Sequence, residues 1–437
     1  MNKLINEIAD SVNQVIRGIL VKDTWQTLKP CDVLLVRHDY NCGYVFHKKA
    51  YAHLIDSFGD LCVKKSLKVQ SVAKSFSVLT GTKAQYSPVS YNRAYAVIIL
   101  SGLAARIVEG KCRAAQWTDS RKVALWCDIL DKANPKIVIG IQPDKYICRA
   151  GKARGIPVYD LQHGVIPDED RWYGSIYRTL TPIEELPDGF LCWDDQAVAT
   201  IAKWADQKGI RAIKVGNPWF LRFSKEDPDD LLVHEAIAEW KVCDNTRPCI
   251  LVSLQWGMKD SYPDIFFNGV LEDALEKVIL DTQDIYNWIL RLHPVQIMGK
   301  ERKTALKYLT NTFGKEKAQG WQESSQIPLP IVLRQADIHI TYHSTVTIEA
   351  AWMGVKSALL NQQICKEGKL ESCYAHERTI GMAEVIPMDS EIIKNWIADT
   401  LAKGSAKTTA NDSSHALNAF IDEIARRCRS KEIPREK

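Results

Sequence analysis

The chain has 437 residues and a mass of 49.4 kDa, more than one hydrophobic core usually supports, so two domains of roughly 200 residues each are expected. Hydrophobic residues make up 46% and charged residues 25%, as in an ordinary water-soluble globular protein. The formal net charge of +4 is too small to indicate a nucleic-acid-binding protein, and no basic block alternates with aromatic residues.

Neither a membrane span nor a secretion signal is predicted. The longest apolar runs, such as that from Val97 to Ile107, are shorter than the roughly 20 residues that a spanning helix needs. The first 20 residues mix polar residues into the apolar positions and lack a signal-peptide core. We therefore expect a cytoplasmic protein, and its mild positive charge is compatible with peripheral contact at the inner face of the membrane.

The 12 cysteines are scattered along the chain. They form no CxxC pair and no Cys/His cluster at zinc spacing. Reduced, packed thiols and no structural metal are therefore expected.

The first half begins with helices and a single clear strand. Apolar residues return at helical spacing in residues 1 to 28, which predicts an amphipathic helix that packs on the core or lies on a membrane surface. A buried strand is predicted within Asp32 to Tyr44, and residues 60 to 95 give no clear pattern. Helices are predicted at Lys49 to Phe58, Tyr95 to Val108 and Ser120 to Lys132.

Strands and helices then alternate. The pattern predicts a strand at Lys136 to Gly140, a helix at Asp144 to Arg154, and a strand at Val158 to Leu161 that ends directly in Gln162-His163-Gly164. Ligands collect outside the carboxyl ends of strands in open parallel sheets, so His163 is a candidate site residue. Further strands are predicted at Gly189 to Trp193 and at Ala212 to Val215, on either side of a helix that runs to Lys208.

Periodicity is lost after Gly216-Asn217-Pro218, where we place a domain boundary. The expected domains are residues 1–218 and 219–403, followed by a linker and helix in residues 404–437. The second domain repeats the alternation, with strands at Cys249 to Leu254 and Trp288 to Leu292 and helices at Leu231 to Trp240, Phe266 to Leu280, Glu301 to Phe313 and Leu329 to Arg334. This predicts an α/β protein with two Rossmann-like, doubly wound parallel sheets and a cleft between them.

The stretch from Ala336 to Asn361 holds a strand, a polar turn, a helix and another strand. Its turn contains Ser344 and Thr345, and Thr347 follows at the start of the helix. Unpaired N–H groups and hydroxyls at such a turn suit a phosphate, although Ser and Thr there are also ordinary helix caps. Similar polar turns follow strands at His163 and at His293-Pro294, which favours a binding site.

Histidine at these positions suits group transfer, because its near-neutral pKa fits a general base or a cation beside a leaving phosphate. A structural hydrogen-bonding role is the alternative for each histidine taken alone.

These motifs resemble those of a known family. Two Rossmann-like halves, a Gly-Asn-Pro hinge, His293-Pro294 and a Ser/Thr turn followed by Glu349 look like a GT-B glycosyltransferase. More narrowly, His293-Pro294 and the sequence YHSTVTIEA are similar to motifs of bacterial sialyltransferases and capsule or lipopolysaccharide Kdo transferases. The QHG sequence at His163 is similar to the His-Gly motif of teichoic-acid glycerophosphotransferases, which use a cytidine nucleotide donor.

The resemblance implies roles for individual residues. His163 would be the general base, with Asp160 or Asp188 as alternatives, because the acidic motif of sialyltransferases is only half matched at Asp188-Gly189. Glu349 would accept hydrogen bonds from the ribose hydroxyls. The donor phosphate and nucleotide would be held, without a metal or another cofactor, by His293, Pro294, Ser344, Thr345, Thr347, Gln255, Gly257 and Lys259.

Two further patterns bear on the reaction. Asp227-Pro228-Asp229 offers a superficial DxD metal motif, but capping of the next helix is the more ordinary use of these aspartates. The spaced glutamate pair of many retaining enzymes is missing, since Thr341 stands eight residues before Glu349.

The leading hypothesis is a glycosyltransferase of bacterial surface polysaccharide synthesis, such as O-antigen or capsule. It would move a sugar from a nucleotide-activated donor, in particular a CMP-sugar such as sialic acid or Kdo, to a glycan or lipid-linked acceptor. The alternatives are a CDP-glycerol-type glycerophosphotransferase or sugar-nucleotide epimerase of the same fold, and a non-catalytic subunit of a glycan synthase. No nucleic-acid partner is expected.

Overall fold

The computed structural model describes residues 16–39, 42–168, 170–224, 227, 229–238, 246–297, 299–404 and 414–430. Most of the predicted N-terminal helix, most of the predicted linker and the basic end of the chain lie outside these residues. So do Pro228 of the DxD motif and the last two residues of the helix predicted to end at Trp240.

The chain divides into two compact units. Unit 1 comprises Met1–His163, Asp170–Trp219 and Ser413–Lys437, and unit 2 comprises Gly164–Glu169 and Phe220–Asp412. The chain therefore passes from unit 1 to unit 2 directly after His163, and passes between them again after Trp219. The C-terminal segment, predicted as a separate part, belongs to unit 1.

Unit 1 is built on a six-stranded, wholly parallel sheet in the order β4-β1-β5-β6-β7-β8. Four of these strands, β1, β5, β6 and β7, are short and mainly apolar and are buried along their whole length, as central strands of a parallel sheet are. Their bounds are β1 Val33–Arg37, β4 Val69–Ala73, β5 Ile137–Gly140, β6 Val158–Leu161, β7 Gly189–Cys192 and β8 Arg211–Lys214.

Helices cover the sheet of unit 1. Asp144 begins one of them by accepting hydrogen bonds from two backbone N–H groups, and Gly155 ends it in the left-handed conformation that glycine adopts without strain. One hydrophobic core joins β1, β5 and β6 to the long helices α2 and α3 and to α4. The helices are α1 His53–Lys64, α2 Asn92–Glu109, α3 Lys111–Ala133, α4 Lys145–Arg154, α5 Ser175–Arg178, α6 Asp195–Ala205 and, at the boundary, α7 Pro218–Ser224.

The helix predicted at Lys49 to Phe58 is wrong in its first half. Strands β2 (Tyr44–Phe46) and β3 (Lys49–Tyr51) form an antiparallel hairpin, and the helix begins only at His53. His47 and Lys48 turn the chain with positive φ angles of 47° and 63°. A two-residue turn of this kind usually contains Asn or Gly, and neither residue is present here, so the turn had no local signal.

Unit 2 contains a five-stranded parallel sheet in the order β10-β9-β11-β12-β13. Its strands are β9 Cys249–Ser253, β10 Asn287–Arg291, β11 Ile338–Thr341, β12 Lys356–Leu359 and β13 Ala383–Val385. Its helices are α8 Leu231–Ala238, α9 Met258–Ser261, α10 Asp273–Thr282, α11 Gly299–Phe313, α12 Lys315–Ser324, α13 Leu329–Gln335, α14 Val346–Trp352, α15 Ala375–Thr379 and α16 Ser390–Lys403.

The helix predicted from Phe266 to Leu280 begins seven residues later, at Asp273. The Asn268 side chain accepts hydrogen bonds from the backbone N–H groups of Val270 and Leu271. This Asx turn competes with helix formation, and Gly269 takes a φ of 80° within it.

The last described helix, α17 (Ser414–Ser430), packs on the sheet of unit 1. The Phe420 ring lies 5.4 Å from that of Tyr159 on β6 and 6.4 Å from that of Phe58 on α1. The helix predicted within residues 404–437 thus packs on the core of unit 1.

Both sheets are doubly wound, which confirms the predicted α/β class. In unit 1 the chain goes from β1 outward to β4 and then returns to β5, so the direction of winding changes between β1 and β5. In unit 2 the corresponding point lies between β9 and β11. The carboxyl ends of strands at such switch points are the usual ligand sites of open α/β sheets. None of the described helices is long and apolar enough to cross a membrane.

Candidate functional site

The switch point of unit 2 is bridged by one glutamine. Gln255 follows β9, and its side-chain amide donates to the carbonyl of His343 (3.1 Å) and accepts from the His343 N–H (3.0 Å). The turn after β11 is therefore fastened to the end of β9. This pairing fixes the backbone of the polar turn before any ligand arrives.

A second glutamine connects the next strand. Gln296 donates to the carbonyl of Gln255 (3.1 Å) and accepts from the His293 N–H (2.8 Å). His293 follows β10, and Pro294 begins a short 3₁₀ turn, Pro294–Ile297. The ends of β10, β9 and β11 thus form one hydrogen-bonded edge.

The His293 imidazole has a defined tautomer. Its Nδ1 accepts a hydrogen bond from the Val295 N–H (3.2 Å), so in the neutral ring the proton lies on Nε2. Burial lowers the pKa of His293 to about 4, which keeps the ring neutral at physiological pH. The exposed Trp256 ring lies 6.4 Å away.

His343 has the same arrangement. Its Nδ1 lies 3.3 Å from the side-chain amide nitrogen of Asn361, a donor that follows β12. Burial lowers the pKa of His343 to about 4 as well. Within the described part of the chain, the Nε2–H groups of His293 and His343 have no acceptor. His293 follows β10 and His343 follows β11, and these two strands flank β9. At the usual strand spacing the axes of β10 and β11 lie roughly 10 Å apart.

The Ser/Thr turn has only part of the expected donor set. Ser344 and Thr345 are half-buried, and the Ser344 hydroxyl accepts from the Val346 N–H (3.3 Å). Thr347 is fully buried, and its hydroxyl has no hydrogen-bond partner among the described residues. The Thr347 hydroxyl group is therefore not accessible from solvent in this conformation. The helix that follows, α14, has seven residues, so its dipole is small.

Glu349 lies one turn into α14 and is buried. Burial raises the pKa of its carboxyl group to about 8, and the positive charge of Arg291 opposes this shift. The carboxyl group is therefore mostly protonated at neutral pH. In that form it can donate one hydrogen bond as well as accept others.

Gly257 and Lys259 also lie at the end of β9. Gly257 precedes α9 with a φ of 72°, a conformation that disfavours other residues. Lys259 is exposed on α9. The predicted donor residues of unit 2 other than the buried Thr347 and Glu349 thus lie at least partly open to solvent near one edge of its sheet.

In unit 1, His163 follows β6 through the buried Gln162, whose side chain accepts from the Trp193 N–H (2.7 Å). The Nδ1 atom of His163 lies 3.1 Å from the Tyr173 hydroxyl group. Burial lowers the pKa of His163 to about 4, and Asp170 opposes the shift. The ring is neutral at physiological pH and is held by Tyr173.

Asp160, an alternative base, lies within β6 and is fully buried. Its carboxylate accepts from the Gln142 N–H (2.9 Å) and from the indole N–H of Trp172 (2.8 Å). Burial raises the pKa of Asp160 to about 7. These contacts give Asp160 a structural role, since both of its oxygens orient neighbouring residues.

Asp188, the other alternative, lies at the opposite edge of the sheet. It precedes β7, pairs with Lys152 (2.7 Å) and accepts from the Val158 N–H (2.8 Å) at the start of β6. Counted along the strand from Val158, His163 is roughly 16 Å away. The structure therefore does not bring Asp188 to His163.

Two residues near His163 were not identified from the sequence. His38 follows β1, and Lys74 follows β4, with its N–H donating to the carbonyl of Arg37 (2.9 Å). Burial, the positive charge of Lys74 and that of His163 when its ring is protonated together lower the pKa of His38 to about 4. His38 could have been found, because it follows a buried strand as His163 does. Lys74 could not, because β4 was not predicted.

The DxD motif has a local use. The Asp227 carboxylate accepts from the Asp229 N–H (3.0 Å) in an Asx turn that precedes α8, whereas the Asp230 carboxylate accepts from the Val233 N–H within the first turn of that helix. Among the described residues, no three His, Cys, Asp or Glu side chains are grouped as metal ligands.

No protein-family model matches the chain, and no curated protein sequence matches it significantly. Solved structures do match it over nearly its full length. Wall teichoic acid polymerase TagF, as a histidine-to-asparagine variant with CDPG, has a TM-score of 0.53 at 11% identity and covers 98% of both chains.

The other matches include enzymes of sugar-nucleotide epimerisation. The UDP-GlcNAc 2-epimerase of Methanocaldococcus jannaschii, in complex with UDP-GlcNAc and UDP, has a TM-score of 0.52 at 12% identity and covers 90% of this chain and 99% of its own. The S. aureus protein MnaA with UDP has a TM-score of 0.52 at 10% identity and covers 93% and 99%. At these identities the likeness shows the fold alone, and that fold is GT-B-like.

Proposed function

We propose that the protein is an enzyme that transfers a sugar or glycerol-phosphate group from a pyrimidine-nucleotide donor to a hydroxyl group. The observation that carries this proposal is His163: a neutral imidazole at the carboxyl end of a central strand, held through Nδ1 by Tyr173. When Nδ1–H donates to the Tyr173 oxygen, Nε2 is free of a proton and can accept one from an acceptor hydroxyl.

Unit 2 supports the donor half of the reaction. The acceptor oxygen forms its new bond to the transferred group while the bond to the nucleotide phosphate breaks and leaves negative charge there. The Nε2–H groups of His293 and His343, with the Ser344 and Thr345 hydroxyls, would stabilise that charge without a metal. The bridging glutamines hold these donors in place beforehand.

The identity of the donor is revised from the expectation drawn from the sequence. No comparison supports a CMP-sugar, a sialyltransferase or a Kdo transferase in particular. The solved structures of the same fold hold UDP, UDP-GlcNAc or CDPG, so we propose a nucleoside-diphosphate donor with a uracil or cytosine base. A glycan or lipid-linked acceptor of surface polymer synthesis fits such a donor.

Sugar-nucleotide epimerisation is the second candidate, because several structures of this fold are UDP-GlcNAc 2-epimerases. An epimerase needs acid and base groups beside the sugar. In unit 1, however, the buried Asp160 carboxyl group already orients Trp172 and Gln142, and Asp144 caps α4. His163 then remains as the candidate base, which favours transfer to a hydroxyl group. The presence of His163 and His293 argues against a non-catalytic subunit.

Nucleotide binding tests the proposal. Thermal unfolding should be measured with CMP, CDP, UDP, GDP and ADP, for the wild type, for His293→Ala and for the exposed control His234→Ala. A nucleotide present at a few hundred times its Kd should stabilise the fold by about 3 kcal/mol. We expect CDP or UDP to stabilise the wild type and the control, and His293→Ala to lose the shift. If none of the five nucleotides raised the unfolding temperature of the wild type, the proposal would be refuted.

A further inference from the structure

Helix α2 presents an apolar stripe to solvent. Val97, Leu100, Leu103, Ile107 and Val108 are 61%, 61%, 55%, 88% and 85% exposed. At 100° per residue these side chains share one side of the helix. Five aliphatic side chains on one face form a contiguous patch, unlike the single exposed aliphatics that are normal on protein surfaces.

The opposite side of α2 is the one that packs. Gly102 lies there against α3, so close that a Cβ atom at this position would come within 2.2 Å of the Thr118 hydroxyl oxygen. Helix α3 thus lies behind α2, and the stripe faces away from it. No residue of the described part of the chain buries these five side chains.

Basic residues surround the stripe. Arg106 lies near the end of α2, and Lys111 and Arg113 begin α3 just beyond the turn at Gly110; all three are exposed, as is Arg93 at the start of α2. Glu109 is the only acidic residue of α2. The tip of this helical hairpin therefore combines two highly exposed aliphatic side chains with a net positive charge.

We propose that the α2–α3 hairpin is the surface by which this protein binds an anionic membrane. Aliphatic side chains on one face of a helix, flanked by Lys and Arg, are what allow a helix to lie in the interface between lipid headgroups and acyl chains. The positive charge complements anionic lipids. It disfavours any pairing with a second copy that would place the two hairpin tips side by side, because their like charges repel.

This assignment moves the membrane contact to a new place. From the sequence, the segment considered for membrane contact was the N-terminal amphipathic helix. The surface does not depend on the proposed chemistry, and it would bring the enzyme to a membrane in which a lipid-linked acceptor resides.

Vesicle co-sedimentation of the full-length protein tests this surface, with phosphatidylcholine vesicles that contain or lack phosphatidylglycerol. We expect binding only with phosphatidylglycerol. The double variant Ile107→Asp/Val108→Asp should lower that binding at least tenfold, and so should Lys111→Glu/Arg113→Glu. The control Ile285→Asp, which changes a half-exposed isoleucine of unit 2, should bind as the wild type does.

Three results would overturn the assignment. The first is no vesicle binding by the wild type, or binding that Ile107→Asp/Val108→Asp leaves unchanged. The second is a fall in the unfolding temperature of this variant without vesicles, which would mean that the stripe is packed against another part of the chain. The third is a dimer in sedimentation velocity that the variant dissociates, which would make the partner a second copy.

Discussion

Replacing His163 by alanine is expected to lower the turnover rate by about 100- to 10,000-fold, the range that general-base catalysis contributes. The imidazole is the one neutral base held at the carboxyl end of β6, and alanine removes it without disturbing Gln162, which makes the local backbone contacts. Turnover should be measured with saturating donor and acceptor, and nucleotide binding should remain intact.

The pH profile adds a second readout to the His163 experiment. Because burial lowers the pKa of His163 to about 4, the ring stays unprotonated over the neutral range. The wild-type kcat/KM should therefore hold steady from neutral pH downward and fall only as the pH approaches 4. His47→Ala, which changes an exposed histidine of the same unit, is the matched control. Full activity of His163→Ala would remove this residue from the mechanism.

The largest expected effect on stability comes from Asp56. Its carboxylate lies 3.0 Å from the Arg37 guanidinium, and both side chains are almost wholly buried. Arg37 ends β1, and it also donates to the carbonyls of Gln85 (2.6 Å) and Ala50 (3.2 Å), which fastens the β2–β3 hairpin beside His38. Asp56→Ala should lower the free energy of unfolding by about 3–5 kcal/mol, because it leaves a buried charge without its partner.

Urea unfolding measures this effect. The matched control is Asp195→Ala, which removes the exposed partner of Lys214 and should change stability far less. The double variant Arg37→Met/Asp56→Leu should recover most of the loss, since it removes both charges together. A single Asp56→Ala variant as stable as the control would contradict the role of this ion pair.

The sequence predicted the elements whose signals are local. Strand β6 is a short apolar run that stops at a polar turn, and α4 begins at a capping aspartate and ends before a glycine, so each signal lies within the element. The two Rossmann-like sheets followed from this alternation, and the structure confirms them.

Elements and contacts that depend on distant residues were missed. Strand β4 is the edge strand of its sheet and has a mixed sequence, VQSVA, so its pairing with β1 left no local pattern. Without β4, Lys74 could not be placed next to His38. The β2–β3 hairpin was missed because its turn is formed by His47 and Lys48 and not by the residues that usually adopt positive φ angles.

The places of some candidate site residues at strand ends could be predicted from the sequence. The positions of His163 and His293 followed from the rule that residues after parallel strands share an edge. Asp188 comes before β7, so the same rule places it at the amino ends of the strands, away from His163. The roles of Gln255, Gln296 and Asn361 depend on hydrogen bonds between strands that are far apart in the chain, and no spacing in the sequence signals them.

The fate of the nucleotide during turnover tests the proposed reaction most directly. The protein should be incubated with UDP-GlcNAc or CDP-glycerol and a hydroxyl-bearing glycan or glycerol-phosphate acceptor, and the products followed by NMR. Group transfer predicts that free nucleotide is released in step with a new bond at an acceptor hydroxyl, and that both are lost in His163→Ala. Recovery of the sugar nucleotide intact, with the sugar epimerised at carbon 2, would contradict transfer and establish the epimerase.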